Sequence, residues 1–225
     1  MAVTKRYNAP KFWAVKTKEK KYVVTPASGP HSKFECIPLG ITLRDILGHA
    51  RTMNESRSIL LSGTVKVNNI VRKEHNFPVG LMDTLDIGGD FYRVVPSKKG
   101  LMILKIDGDA DIKLAKIDNK TSVSGGKTQL NFHDGTNMLV EKGDHKTSDV
   151  VAIDTRHSKI TETIKFEKGS FAVVTGGNNT GFKGTIEFID RVLKTVVMAA
   201  GDTKLLVPIR YVFVVGKTSP LVNIG

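Results

Sequence analysis

The chain has 225 residues and 34 Lys/Arg against 22 Asp/Glu, a net charge of +12 that favours a polyanionic partner. Its one cysteine, Cys36, excludes an intramolecular disulfide and a multi-cysteine zinc site. No apolar run approaches the ~18–20 residues that span a bilayer, and the opening MAVTKRYNAPKFW lacks the apolar stretch of a secretory signal. The length suits two or three small domains. Charge is unevenly placed: residues 1–80 hold 14 Lys/Arg against 5 Asp/Glu, residues 81–165 hold 13 of each, and residues 166–225 hold 7 against 4. A surface that neutralises phosphates concentrates its cations in this way.

Residues 1–40 carry little periodicity. Seven Lys/Arg in the first 21 residues face Glu19 alone, interleaved with Tyr7, Phe12, Trp13 and, just after, Tyr22. Pro10, Pro26, Pro30 and Pro38 disfavour helix. This composition predicts an extended basic arm with aromatics available for stacking on RNA bases; a solvated basic tail is the plainer alternative.

Residues 41–87 predict two short helices and a hairpin. Leu43, Ile46, Leu47 and Ala50 recur at i, i+3, i+4 and i+7, with Thr42 as the expected N-cap. A second helix is expected from Asn54, burying Ile59 and Leu60 and stopping at Gly63. Residues 64–67 and 70–73 flank Asn68-Asn69, which suits a two-residue turn. Arg44 and Arg51, seven apart, are expected on one helix face, with Arg57, Lys66, Arg72 and Lys73 on the elements that follow.

Beyond this module the reading is all β. Strands are expected at 91–95, 101–106, 111–117, 128–132, 138–140 and 150–154, separated by turn signals such as Gly125-Gly126, Asp134-Gly135 and Lys142-Gly143. Five more are expected at 171–175, 185–189, 192–198, 204–208 and 211–215, around a glycine-rich loop at 176–184. The neutral middle stretch suits packing or protein contact better than RNA.

Catalytic and cofactor patterns fail on inspection. Gly125-Gly126-Lys127-Thr128 contains G-K-T, but Thr121 stands where a P-loop needs glycine, and no helix follows. The 176–184 loop has Phe182 and Lys183 where Lys and Ser/Thr belong. Asp107, Asp109 and Asp111 alternate like the start of a calcium loop, but Ile112 and Asp118 occupy its glycine and glutamate positions. The histidines show no metal-ligand spacing, and no Ser or Cys sits in a nucleophile-elbow context. No cofactor, metal, catalytic residue or small-molecule substrate is expected. The 176–184 loop retains two readings: an ordinary hairpin, or a surface that presses Gly176, Gly177, Asn178 and Lys183 against an RNA backbone.

Gly63-Thr64-Val65-Lys66-Val67-Asn68-Asn69 after a helix pair resembles the S-four-type RNA-binding domain, and residues 168–189 resemble a KOW motif. In this order, with Lys5-Arg6, Ala9-Pro10-Lys11, Trp13, Gly29-Pro30-His31, Pro38-Leu39, residues 77–83, residues 133–137, residues 146–150 and residues 174–177, the chain resembles the archaeal and eukaryotic type of small-subunit ribosomal protein S-four. Eukaryotic members extend past the KOW domain whereas this chain ends at Gly225, which points to an archaeal member. Ser148 and Asn69 stand where the family often has glycine.

The resemblance implies an α+β multi-domain fold: a basic arm (1–40), an S-four-like module (41–104), a small barrel-like β domain (105–165) and an SH3-like KOW barrel (166–225). It implies a non-catalytic constituent of the cytoplasmic small subunit, with ribosomal RNA and neighbouring ribosomal proteins as partners. The RNA-binding candidates are Lys5, Arg6, Lys11, Trp13, Lys16, Lys18, Lys20, Lys21 and Lys33 in the arm, and Arg44, Arg51, Arg57, Lys66, Arg72 and Lys73 in the module. Gly176, Gly177, Asn178 and Lys183 complete them in the loop. The alternatives are an RNA-modifying enzyme carrying an S-four-type domain and a KOW-type transcription elongation factor.

Overall fold

The structure, a computed structural model, describes residues 4–141, 143–201 and 203–225. The first three residues of the expected arm, and Lys142 of the expected Lys142-Gly143 turn, lie outside them. The architecture is mostly β, built from several antiparallel sheets with few short helical pieces. The helical share is thus smaller than the α+β expectation. Two units emerge: one runs to Val95 and adds Leu101–Asp111, and the other comprises Pro96–Gly100 and Ile112–Gly225.

The first unit begins with β1 (Thr4–Lys5) paired to β2 (Tyr22–Val23), with 3-10 turns Arg6–Asn8 and Lys11–Trp13 between them. β3 (Cys36–Pro38) leads directly into a helical segment, α1 (Leu39–Ile41), which widens into a π-turn at Thr42–Ile46. The expected N-cap at Thr42 is therefore wrong. Leu39 N–H donates to the Phe77 carbonyl (2.9 Å) and Gly40 N–H to that of His75 (2.7 Å), so carbonyls of the turn before Pro78 satisfy the first donors and the helix starts at Leu39, ahead of Thr42. Thr42 sits inside, its buried hydroxyl unpartnered among the described residues.

α2 (Met53–Leu61) is capped by Thr52, whose hydroxyl accepts from Glu55 N–H at 3.2 Å, while the Glu55 carboxylate reaches back to Arg51 N–H at 2.8 Å. Gly63, at φ 78°, ends it as expected. β4 (Val65–Val67) and β5 (Ile70–Val71) close on Asn68 (φ 51°) and Asn69 (φ 63°), the paired positive angles of a type I′ turn. β6 (Pro78–Gly80) pairs with β3. β7 (Thr84–Ile87), β8 (Asp90–Ser97) and β9 (Gly100–Lys105) complete a sheet ordered β5-β4-β7-β8-β9.

Leu39, Leu43, Leu60, Val65, Val67, Leu85 and Val94 form its core. Asp83 is buried where the pieces meet: its carboxylate accepts from Gly80 N–H (2.9 Å) and Asn68 Nδ2 (2.8 Å), and lies 2.8 Å from His31 Nε2.

In the second unit β10 (Ile112–Ser122), β11 (Thr128–Phe132), β12 (Asn137–Val140), β13 (Val150–Asp154) and β14 (Lys159–Ile164) form a sheet ordered β12-β11-β10-β13-β14. β10 pairs with β13 over its first half and β11 over its second, with a bulge between Ile117 and Asn119 where it changes partner. Ser148 takes φ 74°, a left-handed backbone that glycine adopts more readily than serine.

β15 (Phe171–Val174), β16 (Lys183–Asp190), β17 (Thr195–Ala200), β18 (Thr203–Pro208) and β19 (Val212–Gly216) form the last sheet, ordered β18-β17-β16-β15-β19. The strand expected at 192–198 starts late because the Asp190 carboxylate accepts from Val192 N–H (2.9 Å) and Leu193 N–H (3.0 Å), folding 191–194 into a turn. Within this unit the buried Lys116 amine donates to the carbonyls of Ile209 (3.3 Å), Arg210 (3.2 Å) and Val212 (2.9 Å).

Candidate nucleic-acid interface

The arm is folded back into a core. Trp13 is fully enclosed with Val23, Ile37 and Ile41, and its indole N–H donates to the Cys36 carbonyl at 2.7 Å. It presents no face to a base, so its expected stacking role is wrong. Arg6 is also buried: its guanidinium donates to the carbonyls of Tyr22 and Lys16 and pairs with Glu19 at 3.4 Å. A cation spent on its own chain's carbonyls is unavailable to phosphate. Arg6 acts instead as a strut under the 16–22 loop, which exposes Lys16, Lys18, Lys20 and Lys21 beside exposed Lys5 and Lys11. Lys16 is partly neutralised by Glu19 at 3.3 Å, and that contact, with Arg6 helping, holds the Glu19 carboxyl below its usual range. Burial pushes the Cys36 thiol up to about 12, which leaves it inert.

In the helix–hairpin module Arg44 and Arg51 do not share a helix face, since the helical segment ends before residue 48. Arg44 pairs with Asp45 at 2.8 Å and Lys66 with Asp86 at 3.3 Å, so acids on neighbouring positions mask both. Arg72 lies 4.4 Å from the Phe77 ring centre. Arg51, Arg57 and Lys73 are exposed; Arg57 and Lys73 have no carboxylate partner among the described residues, whereas the Glu55 carboxylate stands on the Arg51 backbone N–H. Arg57 donates to His75 Nε2 at 3.1 Å. Burial, and then the Arg57 charge, hold the His75 pKa below its ordinary value and keep the ring a neutral acceptor.

Two glycines of the 176–184 loop pack closely against other parts of the chain. A Cβ on Gly176 would stand 2.6 Å from a Tyr211 ring carbon, and one on Gly181 would stand 2.8 Å from the backbone of Ser97 and Lys98. Its close approaches are thus to its own chain. Lys183 donates to the carbonyls of Ile224 and Gly225, which removes its amine from the candidate set. Gly177 and Asn178 stay exposed. Sequence reasoning undervalued Tyr7 and missed Phe34. These residues keep 68 % and 65 % of their surface open, and Lys5 and Lys33 stand 5.6 and 5.7 Å from their ring centres.

Family models match at two places: "Ribosomal family S4e" over residues 88–160 and the "RS4NT (NUC023) domain" over residues 4–33. The chain is 40% identical over 228 residues to the small ribosomal subunit protein eS4 of Methanosphaera stadtmanae, covering 98% of this chain and 94% of that one. It is 39% identical over 237 residues to the eS4 of Pyrobaculum islandicum, over the full length of both. The crystal structure of the 30S ribosomal protein S4e from Thermoplasma acidophilum matches with a TM-score of 0.73 at 30% identity, over 82% of this chain and 96% of that one. With identity of this order sustained end to end, the chain belongs to the small ribosomal subunit protein eS4 family.

Proposed function

We propose that this protein takes its place in the small ribosomal subunit by binding ribosomal RNA through the basic surface of its first unit. Its family is one of structural, non-enzymatic ribosomal proteins working in the cytoplasm, which displaces the RNA-modifying enzyme and elongation factor as readings. One observation carries the RNA assignment: Lys5, Lys11, Lys18, Lys20, Lys21, Arg57 and Lys73 are all exposed, all in the first unit, and unpaired with carboxylates among the described residues, with exposed Arg51 beside Glu55.

Such cations neutralise phosphate, and shape supplies the specificity because A-form helices hide their major-groove edges. We read the chain as four parts: the arm (1–40), an S-four-like module (41–104), a central β domain (105–165) and an SH3-like KOW barrel (166–225). The charge-balanced central domain would face neighbouring ribosomal proteins. In a filter-binding titration against small-subunit RNA at several salt concentrations, K18Q/K20Q/K21Q should flatten the salt dependence by roughly 0.7–0.9 for each phosphate that is no longer neutralised. An unchanged slope would sink the assignment.

A further inference from the structure

Thr4, Lys5, Tyr7, Asn8, Lys33 and Phe34 line a cleft of about 410 Å³ in the first unit. Clefts of ~300–1,000 Å³ are the size that takes small ligands or single groups of larger ones. Its chemistry is unusual for a protein surface. Two aromatic rings stand open, each with an ammonium within cation–π distance, and an amide side chain lies beside them.

Both sides of the cleft are held from below. Tyr7 and Asn8 sit in the turn whose first residue is the buried Arg6, and Ala9 N–H closes that turn onto the Arg6 carbonyl at 3.1 Å. Phe34 sits in a turn closed by Glu35 N–H on the Ser32 carbonyl (3.1 Å) and by the Ser32 hydroxyl on the Glu35 carboxylate (2.8 Å), next to buried Cys36. The backbone that carries each ring is thus already ordered, so binding orders little more than the side chains themselves.

We infer that this cleft receives one unpaired nucleotide of RNA, its base stacking on Tyr7 and Phe34 and its phosphate meeting Lys5 and Lys33. The inference rests on the RNA-binding reading above and adds a single-stranded subsite to it. Aromatic faces serve only an unstacked base; a duplex offers its phosphates to the lysines but no ring to the aromatics. An acidic peptide would satisfy the lysines and leave both rings without a partner.

The test uses the full chain and its Tyr7→Leu, Phe34→Leu and double variants. Both side chains are exposed, so a circular-dichroism melt should match that of the parent. Binding is measured to a labelled oligoadenylate and to a blunt RNA duplex of the same length. The double variant should lose about tenfold or more on oligoadenylate, keep its duplex affinity, and keep the same salt slope on both. Parental affinity of the double variant for oligoadenylate, with both RNAs still bound, overturns the subsite and leaves the RNA-binding reading standing. If the parent binds neither RNA, both fall. Displacement of oligoadenylate by adenosine monophosphate at comparable concentration assigns the cleft to a free nucleotide and overturns the RNA subsite.

Discussion

Trp13 separates two accounts of the arm, because removing it tests folding under one and RNA contact under the other. A fully buried tryptophan removes ~150–250 Å² from water, which at about 25 cal/mol per Å² is worth ~4–6 kcal/mol. Truncations of this kind cost about 3–5 kcal/mol, so W13A should lose that much. W13F keeps a ring in the cavity but deprives the Cys36 carbonyl of its 2.7 Å donor, at ~1–3 kcal/mol. Native domains are stable by only about 5–15 kcal/mol, so both changes are large. The chain has one tryptophan. Its fluorescence should therefore be blue-shifted, resist acrylamide quenching, stay unchanged on adding RNA, and follow urea unfolding of the first unit alone. Stability of the variants is read by circular dichroism. If W13F kept the parental urea midpoint while losing tenfold in RNA affinity, the buried assignment would be refuted.

Two further outcomes follow from buried or half-buried groups of the first unit. D83A leaves the Gly80 N–H, Asn68 and His31 groups without their acceptor, and should cost about 3–5 kcal/mol, a melting shift of more than ~10 °C for a unit of this size. His75 has a folded pKa below its unfolded value, so the unfolded chain takes up more protons as pH falls through the range just below 6.5. Stability present above that range should decline across it, and H75Q should show a flatter stability–pH curve there; identical curves would exclude His75 as the source.

Local chemistry was legible where one residue decides one angle. Asn68-Asn69 called for positive φ and has it, Gly63 ends its helix, and residues 128–132 and 150–154 form strands at the expected bounds. Long-range pairing hid the rest. The start of α1 depends on carbonyls of His75 and Phe77, more than thirty residues away, so no nearby capping residue announces it. β14 alternates imperfectly, because Glu162 lies between Ile160 and Ile164 and a bulge shifts its register on β13. In the arm, an interleaved run of cations and aromatics does not say which members turn inward. Arg6 and Trp13 went to the core while Tyr7 and Phe34 stayed out. Arg44 and Lys66 lost their standing to Asp45 and Asp86, one of them a cross-strand partner that a linear charge count cannot pair.

Lys116 imposes an order in time on the second unit. Its three carbonyl acceptors lie 93, 94 and 96 residues further along the chain. While the protein is being synthesised, this amine has no destination and stays hydrated until Val212 has been added. Burial lowers its pKa, so the charged amine is a poor tenant of the interior until those dipoles arrive. The sheet containing β10 can pair its strands early, but the dry environment around Lys116 is completed only by the last strand of the other sheet. Maturation of this half of the molecule therefore waits until residues 209–212 have been synthesised, which leaves the first unit free to finish folding ahead of it.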